Sequence, residues 1–403
     1  MPGLVRPTLK NTMRLLNKIA YASKVLPSAM WRAMGASPRG PLHLVIGMAD
    51  HFEPAIDPES GEKRMPLSEQ QRRLELWSRE YPKAVDRWRD HDGRPFVHTY
   101  FYPAEQYDEG LLQMLSEHCH AGWGEVEVHL HHGMKEPDTA ENTRSVLTKF
   151  RDHLAFRHRC LAMEEGCDQP RYAFVHGNFA LANSAGGRFC GVDSEMKVLA
   201  ETGCYADFTL PTGANHPAQT LKMNSLYECA LPLEQAAPHR EGRNLAAGSA
   251  PKTLPLIVQG PLVGDWRGAL RSPGLMLETS AITRRNPLSL RRLALWKQAR
   301  IRVQGRPDWL FIKLHCHGMD PTQKDAVLGQ SFRKFLEELV GGAAERRETL
   351  HFVTARELAN IIFAACDGKD GNPGEYRDYR FKPIASLPVV ADKWSAPPVS
   401  VRG

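Results

Sequence analysis

The sequence contains no apolar run that approaches the ~20 residues needed by a membrane-spanning helix. Its eight cysteines include no C-x-x-C pair, so it carries no zinc-ribbon or dithiol redox signature. The lack of a long apolar run excludes a transmembrane protein. The N-terminus also shows no secretory signal, so we expect reduced cysteines and a cytoplasmic protein.

Acidic residues are missing from the first 49 positions, where seven basic residues occur. The rest of the chain has 45 basic and 46 acidic residues, so the formal charge of +6 belongs to the N-terminus. Residues 1–40 are predicted to be a basic segment with an amphipathic helix over 8–26. We expect residues 1–26 either to make peripheral contact with an anionic membrane or to pack on the body. Positive charge is not spread over a binding face, so we expect no nucleic-acid partner.

From residue 41 onward, short apolar runs alternate with helical periods. The runs predict strands over 43–49, 96–102, 126–131, 172–176, 204–210, 254–258, 309–315 and 350–353. The periods predict helices over 68–81, 108–116, 142–165 and 323–340, and a capping box at Thr354 and Glu357 opens another over 355–365. This alternation predicts an α/β fold with a mostly parallel sheet, and the number of units suits a closed barrel. Residues 367–403, rich in Gly and Pro, are predicted to be a C-terminal tail.

Histidines and carboxylates gather where the predicted strands end. They are Asp50 and His51 after the first strand, His129, His131 and His132 after the third, His176 and Asn178 after the fourth, Asp207 at the fifth, and His315 and His317 after the strand over 309–315. Because α/β barrels build their sites at the carboxyl ends of their strands, we expect these side chains to lie together. Residues two apart on a strand face the same side, so His129 and His131 point together. Imidazoles and carboxylates are ligands for Zn²⁺ and related ions, so the pattern predicts a metal site.

Not every histidine needs a function. A lone histidine on a strand is usually a hydrogen-bonded structural residue, and His98 and His351 fit that description. We expect His118 and His120, at a helix end, to face solvent. Asp207 either takes part in the site or braces a loop.

The order of these motifs resembles the polysaccharide deacetylase family, which are metal-dependent carbohydrate esterases with a distorted (β/α)7 barrel. Ala49-Asp50-His51 stands in the place of the first motif, and Thr99–Tyr102 and Gly124–His129 are similar to the family's second and third strands. Gly203–Thr209 and Ile312–His315 are similar to the fourth and fifth motifs. The resemblance covers residues 41–366 and implies a distorted (β/α)7 barrel, from which this sequence departs by a largely helical insert after the first motif. The sequence departs from the family where His51 replaces an aspartate, Gly133 a histidine, and His176 an arginine.

The resemblance implies a hydrolase that removes an acetyl or similar acyl group from an N-acylated sugar, using a divalent metal such as zinc. Its substrate would be a carbohydrate or a glycolipid. The implied metal ligands are Asp50, His51, His129, His131 and His132. Asp50 is also the implied general base and His315 the general acid, with His317 in reserve, while His176, Asn178 and Asp207 contact or orient the substrate.

Two other functions fit the same residues. A different metallohydrolase on a barrel, such as a phosphoesterase, also uses a His-x-His strand end. A carbohydrate-binding relative that has lost its metal and its activity is the second alternative.

Overall fold

A ten-stranded sheet organises the fold, and its longest strand is the first in the described chain. The computed structural model describes residues 41–387, apart from 63, 214–215, 266, 268–269 and 271–276. The basic segment over 1–40, with its predicted membrane contact through 1–26, therefore lies outside the described residues. None of the described helices combines the length and the apolar character needed to cross a membrane.

The described strands are β1 Leu42–His51, β2 His98–Pro103, β3 Gly124–Leu130, β4 Ala162–Glu164, β5 Tyr172–His176, β6 Cys204–Asp207, β7 Leu226–Cys229, β8 Gly242–Asn244, β9 Leu256–Val258, β10 Val263–Gly264, β11 Leu277–Glu278, β12 Trp309–Cys316, β13 Glu348–Val353 and β14 Phe381–Pro383. The described α-helices are α1 Leu67–Val85, α2 Glu109–His118, α3 Ala140–Asp152, α4 Glu195–Glu201, α5 Leu290–Gln298, α6 Lys324–Leu328, α7 Gln330–Gly341 and α8 Ala355–Cys366. All eight predicted strands are confirmed.

Two predicted helices have different limits. The helix predicted over 142–165 is an α-helix only as far as Asp152. A wider helical turn over His153–Arg157 follows, and the chain then enters β4. The period over 323–340 is divided between α6 and α7 at Gly329, whose backbone is extended. A Cβ at position 329 would lie 2.0 Å from Asp325 Oδ1, so the break needs glycine.

The sheet is largely parallel, as predicted. Its strand order is β12-β1-β2-β3-β5-β6-β9-β7-β8. The strand β13 pairs with the first part of the β1 edge, over 42–47, and β2 pairs with the last part of the same edge, over 48–51. Only the pairs that β7 makes with β8 and β9 are antiparallel. Along this path the sheet is not closed, so the fold is a mixed α/β structure with an open central sheet.

The two ends of the sheet nevertheless approach each other. Gly260 follows β9, and a Cβ there would lie 2.6 Å from the carbonyl oxygen of Lys313 in β12. The segment over 301–304 lies between β12 and the chain after β8, because Ile301 O accepts from Phe311 N at 2.9 Å and Leu245 O accepts from Gln304 N at 2.8 Å. The sheet is therefore strongly curled.

The two faces of the sheet bury different cores. Leu44, Ile46 and Met48 of β1 face the core shared with α1, α2, α3 and α7, which we call the outer face. Val45 and Ala49 face the opposite core, which α8 covers, and we call this the inner face. Because side chains alternate along a strand, Asp50 continues the outer series and His51 the inner one.

Candidate metal and catalytic site

Five histidines and one glutamate meet on the inner face at the carboxyl ends of β1, β3 and β12. We call this group the histidine cluster: His51, Glu53, His129, His131, His315 and His317. Strand alternation explains the grouping, because each strand end contributes two side chains that are two residues apart. Of the residues that the sequence analysis expected to lie together, the structure brings together His51, His129, His131, His315 and His317.

Glu53, His129 and His131 form the tightest part of this cluster. Glu53 Oε1 lies 3.1 Å from His131 Nε2 and 3.5 Å from His129 Nε2. One ligand atom from each residue lies within 4.8 Å of the other two. Two imidazoles and a carboxylate at this spacing are able to hold a divalent ion.

Hydrogen bonds at Nδ1 fix the orientation of the His129 and His131 rings. His129 Nδ1 lies 2.7 Å from the carbonyl oxygen of Val175, which can only accept, so the proton of this ring sits on Nδ1. His129 Nε2 then carries a lone pair and has no hydrogen-bonding partner among the described residues. His131 Nδ1 lies 2.7 Å from Glu105 Oε1. Partners of this kind, a carbonyl and a carboxylate, are those that orient metal-binding histidines.

The electrostatics of the cluster favour a cation. Burial acts to raise the pKa of Glu53, but the imidazoles of His129 and His131 outweigh it and hold that pKa well below its usual range. Burial acts to lower the pKa of His131, whereas Glu105 and Glu53 raise it to about 9. Two carboxylates therefore attract positive charge to this point, either a proton on His131 or a metal ion.

Three further imidazoles surround this core. The ring centroid of His51 lies 5.1 Å from that of His129, 4.8 Å from that of His317 and 6.1 Å from that of His315. Burial, and then the neighbouring imidazoles, hold the pKa of His51 well below its usual range. His315 Nδ1 has no hydrogen-bonding partner among the described residues. Burial also holds the pKa of His315 well below its usual range, so His51 and His315 offer neutral nitrogen atoms for proton transfer or for a substrate.

Asp50 does not join the histidine cluster, and its predicted role as base or ligand is not supported by its position. Its carboxylate lies on the outer face, where Oδ1 accepts from Gly318 N at 2.6 Å and Oδ2 lies 2.9 Å from His98 Nδ1. Cys316 completes a buried group with Asp50 and His98. The physical reason is the alternation of β1, which places Asp50 and His51 on opposite faces.

His132 and His176 also lie on the outer face, away from His129 and His131. With two residues that the sequence analysis did not select they form a group that we call the Cys190 cluster: His132, His176, Cys190 and Glu195. The predicted metal set is therefore divided, because His131 and His132 are adjacent in sequence and point in opposite directions. His176 does not face the histidine cluster as a substrate-binding residue.

The other two predicted substrate contacts lie elsewhere. Asn178 follows β5 with a positive φ of 56° and donates to Met134 Sδ at 3.3 Å. Asp207 is fully buried and accepts from Thr209 Oγ1 at 2.6 Å and from Thr209 N at 3.2 Å. Burial raises the pKa of Asp207 to about 7. Its contacts fit the alternative that it braces a loop.

Sequence reasoning missed Glu53, Cys190 and Glu195. A signal for Glu53 was present, because it stands two residues after His51 and extended chain places both on one side. No comparable local signal marks Cys190 or Glu195, which reach His132 only through the folding of a long loop.

The chain matches no model of a known protein family and no curated protein. The resemblance to the polysaccharide deacetylases therefore stays a prediction.

Proposed function

We propose that the histidine cluster is the active site of a metal-dependent hydrolase. The observation that carries this proposal is the convergence of Glu53, His129 and His131 within 4.8 Å at the carboxyl ends of two parallel strands. Three protein ligands with room for a further group are typical of catalytic zinc sites, whereas structural sites use four. A divalent ion bound there supplies a Lewis acid and lowers the pKa of a water to ~7.

The protein's own groups supply binding and proton transfer. Glu53, His129 and His131 would hold the ion, with Val175 O and Glu105 keeping the two rings in place. His51 and His315 are the groups that take up and return protons, since both are buried, His51 lies beside the ligand His129, and His315 lies beside His51. His317 is partly exposed, so it is the member of the cluster that we assign to substrate contact.

The proposed substrate is an N-acylated sugar, and the proposed reaction is hydrolysis of its amide bond. The resemblance of the strand-end motifs to the polysaccharide deacetylases supports this substrate class. The hydrogen bonds through 301–304 support the related proposal that the curled sheet is a distorted (β/α)7 barrel, bridged by isolated bonds where no ladder forms.

A second candidate is a different metallohydrolase, such as a phosphoesterase. The position of Asp50 favours it, because the outer-face carboxylate does not supply the base that the deacetylase resemblance implies. The carboxylate of the inner face is that of Glu53. With His129 and His131 it gives a ligand set of two histidines and one carboxylate.

The test combines metal analysis with two substrates. We expect His129→Ala and Glu53→Gln to lose the metal of this site together with all hydrolysis. We expect His315→Ala to keep that metal and to lose about 10²–10⁴-fold in kcat/KM, as for removal of a proton-transfer group. Elemental analysis, and rates on an N-acetylated chitooligosaccharide and on an aryl phosphoester, measure these effects.

His91→Ala is the control, because His91 is exposed and lies outside the histidine cluster. Hydrolysis of the phosphoester but not of the amide would replace the first candidate by the second. Absence of both metal and hydrolysis from the wild-type protein would contradict both candidates and leave a carbohydrate-binding protein without catalysis. Full activity of His129→Ala would place the active site away from this cluster.

A further inference from the structure

The Cys190 cluster lies on the outer face, between the loop after β3 and the long loop that joins β5 to α4. His132 Nε2 lies 3.0 Å from His176 Nε2 and 2.8 Å from Glu195 Oε1. Cys190 Sγ lies 3.6 Å from Glu195 Oε2. All four side chains are buried, and one ligand atom from each lies within 4.8 Å of the other three.

Hydrogen bonds at the Nδ1 atoms of the two imidazoles orient the rings. His132 Nδ1 lies 2.8 Å from Asp138 Oδ2, and Thr143 Oγ1 donates to the same oxygen at 2.9 Å. His176 Nδ1 donates to the carbonyl oxygen of Gly177. Both rings therefore direct Nε2 to the centre. A carboxylate or a carbonyl behind the ring is the usual outer partner of a metal-binding histidine.

The thiol of Cys190 is also arranged as a ligand. Its Sγ accepts backbone N–H groups from Asn183 at 3.3 Å and from Val192 at 3.4 Å. Hydrogen bonds from N–H groups stabilise a thiolate more than a neutral thiol, because they favour the charged form. Without a metal, burial and the Glu195 carboxylate raise the pKa of Cys190 above its usual range. A bound divalent ion would deprotonate the thiol.

We propose that the Cys190 cluster is a second, closed metal centre for a borderline divalent ion such as Zn²⁺. Two imidazoles, one thiolate and one carboxylate give four ligands, and four buried protein ligands with no open position are typical of a structural site. The cluster differs in this from the histidine cluster, which offers three ligands and a partly exposed side.

The centre would join two loops and support the histidine cluster. Residues 177–194 contain no regular element longer than three residues, and several of their non-glycine residues have positive φ. A Cβ at Gly177 would lie 2.3 Å from His131 Cδ2, so the chain that follows His176 packs directly on the ring of His131. Fixing His176 therefore fixes the position of a ligand on the inner face.

An ion-paired network without metal is the competing interpretation. Burial acts to lower the pKa of His132, but Glu195 and then Asp138 raise it to about 12, so a proton on His132 also balances the buried carboxylates. The two interpretations differ in one measurable property, which is sulfur coordination to a bound metal.

The test uses the full chain loaded with Zn²⁺ or with Co²⁺. We expect zinc in the His129→Ala protein at one equivalent per chain, because that change removes only the histidine-cluster site. We expect Cys190→Ala, added to His129→Ala, to remove that equivalent. We expect the Co²⁺ protein to show a thiolate-to-cobalt charge-transfer band and the absorption of a four-coordinate ion.

Cys204→Ala is the matched control, because Cys204 is also a fully buried free thiol and its Sγ donates to Ala206 O. It should keep the metal and the charge-transfer band. If Cys190→Ala does not fold, the spectrum of the Co²⁺-loaded wild type decides alone. A bound metal without sulfur coordination, or wild-type protein without zinc at this cluster, would overturn the proposal. Because the assay of this centre uses the His129→Ala background, failure of the proposed function leaves its outcome unchanged.

Discussion

Residues that are neighbours in this sequence can lie in different surroundings. His131 and His132 are adjacent, yet one ring contacts Glu53 on the inner face and the other contacts Glu195 on the outer face. Alternation along a strand is a local rule, so the sequence could predict that His129 and His131 share a face. It could not predict the partner of His132, because Glu195 is brought there by the tertiary packing of a loop and α4.

His118 is a second residue whose surroundings differ from the prediction. It was expected to face solvent, but it is buried against the rings of Tyr81 and Tyr100. The reason is that α1 and β2 pack on this side of α2, and His118 Nε2 lies 2.9 Å from the hydroxyl oxygen of Tyr100. Its neighbour His120 is exposed, as expected.

This burial predicts a dependence of stability on pH. Burial, and then the nearby His98, lowers the pKa of His118 to about 4. The unfolded chain therefore binds a proton at this site between about pH 6.5 and pH 4 while the folded chain does not, so stability falls as the pH falls through that window. The full pKa shift of His118 is equivalent to about 3 kcal/mol of unfolding free energy. We expect His118→Gln to lose about that much less stability than the wild type as the pH falls through this window.

Urea unfolding of the wild type and of His118→Gln at several pH values measures that difference in slope. His120→Gln is the control and should follow the wild type, because its side chain is exposed. Parallel curves for the wild type and His118→Gln would show that His118 does not stay neutral in the folded chain.

At the level of elements, the strands were predictable and several helices were not. Apolar runs mark a strand locally, because a strand buried on both faces reads as a continuous hydrophobic segment. The helices α4 and α5 were not predicted, because α4 is short and α5 carries several basic residues among its apolar ones. The expectation of a closed barrel is not confirmed, because the strand order of the sheet is open along its path. Counting strand–helix units does not reveal whether the first and last strands pair.

The alternation of β1 gives a prediction for Asp50. We expect Asp50→Asn to lower the free energy of unfolding by about 1–3 kcal/mol, because the amide cannot accept both from Gly318 N and from His98. Metal content should be unchanged, since Asp50 lies on the face opposite to the histidine cluster. Chemical denaturation and elemental analysis on the same preparation measure both quantities.

Asp370→Asn serves as the comparison, because Asp370 is exposed, and it should leave both quantities at the wild-type level. Loss of metal in a stable Asp50→Asn protein would place this carboxylate in the metal site after all.

At the level of the whole molecule, the predicted C-terminal tail is partly built into the body. The strand β14 pairs with β4, and Asn360 of α8 holds the same segment with its whole amide group. Asn360 Nδ2 donates to Arg377 O at 2.7 Å and to Phe381 O at 2.8 Å, while its Oδ1 accepts from Arg380 N at 3.0 Å and from Phe381 N at 2.9 Å.

We expect Asn360→Ala to lower the free energy of unfolding by about 3 kcal/mol, because it leaves buried backbone groups of this segment without partners. The segment should also become sensitive to proteolysis between residues 367 and 387. Limited proteolysis and urea unfolding measure these effects. Gln113→Ala, which removes an amide bound only to the exposed Glu117, should change neither quantity, and an equally small effect of Asn360→Ala would show that the segment is held by other contacts.

The pairing of β1 has a consequence for the order in which this chain is made. Among the described strands β1 leaves the ribosome first, whereas its partners β12 and β13 leave near the end. A nascent chain must therefore carry β1 with one edge open and with the other edge paired only over 48–51, exposing hydrogen-bonding groups that invite pairing with other chains. The central strand of this protein cannot be fully paired during synthesis, and the sheet is completed only after residue 353 has been added.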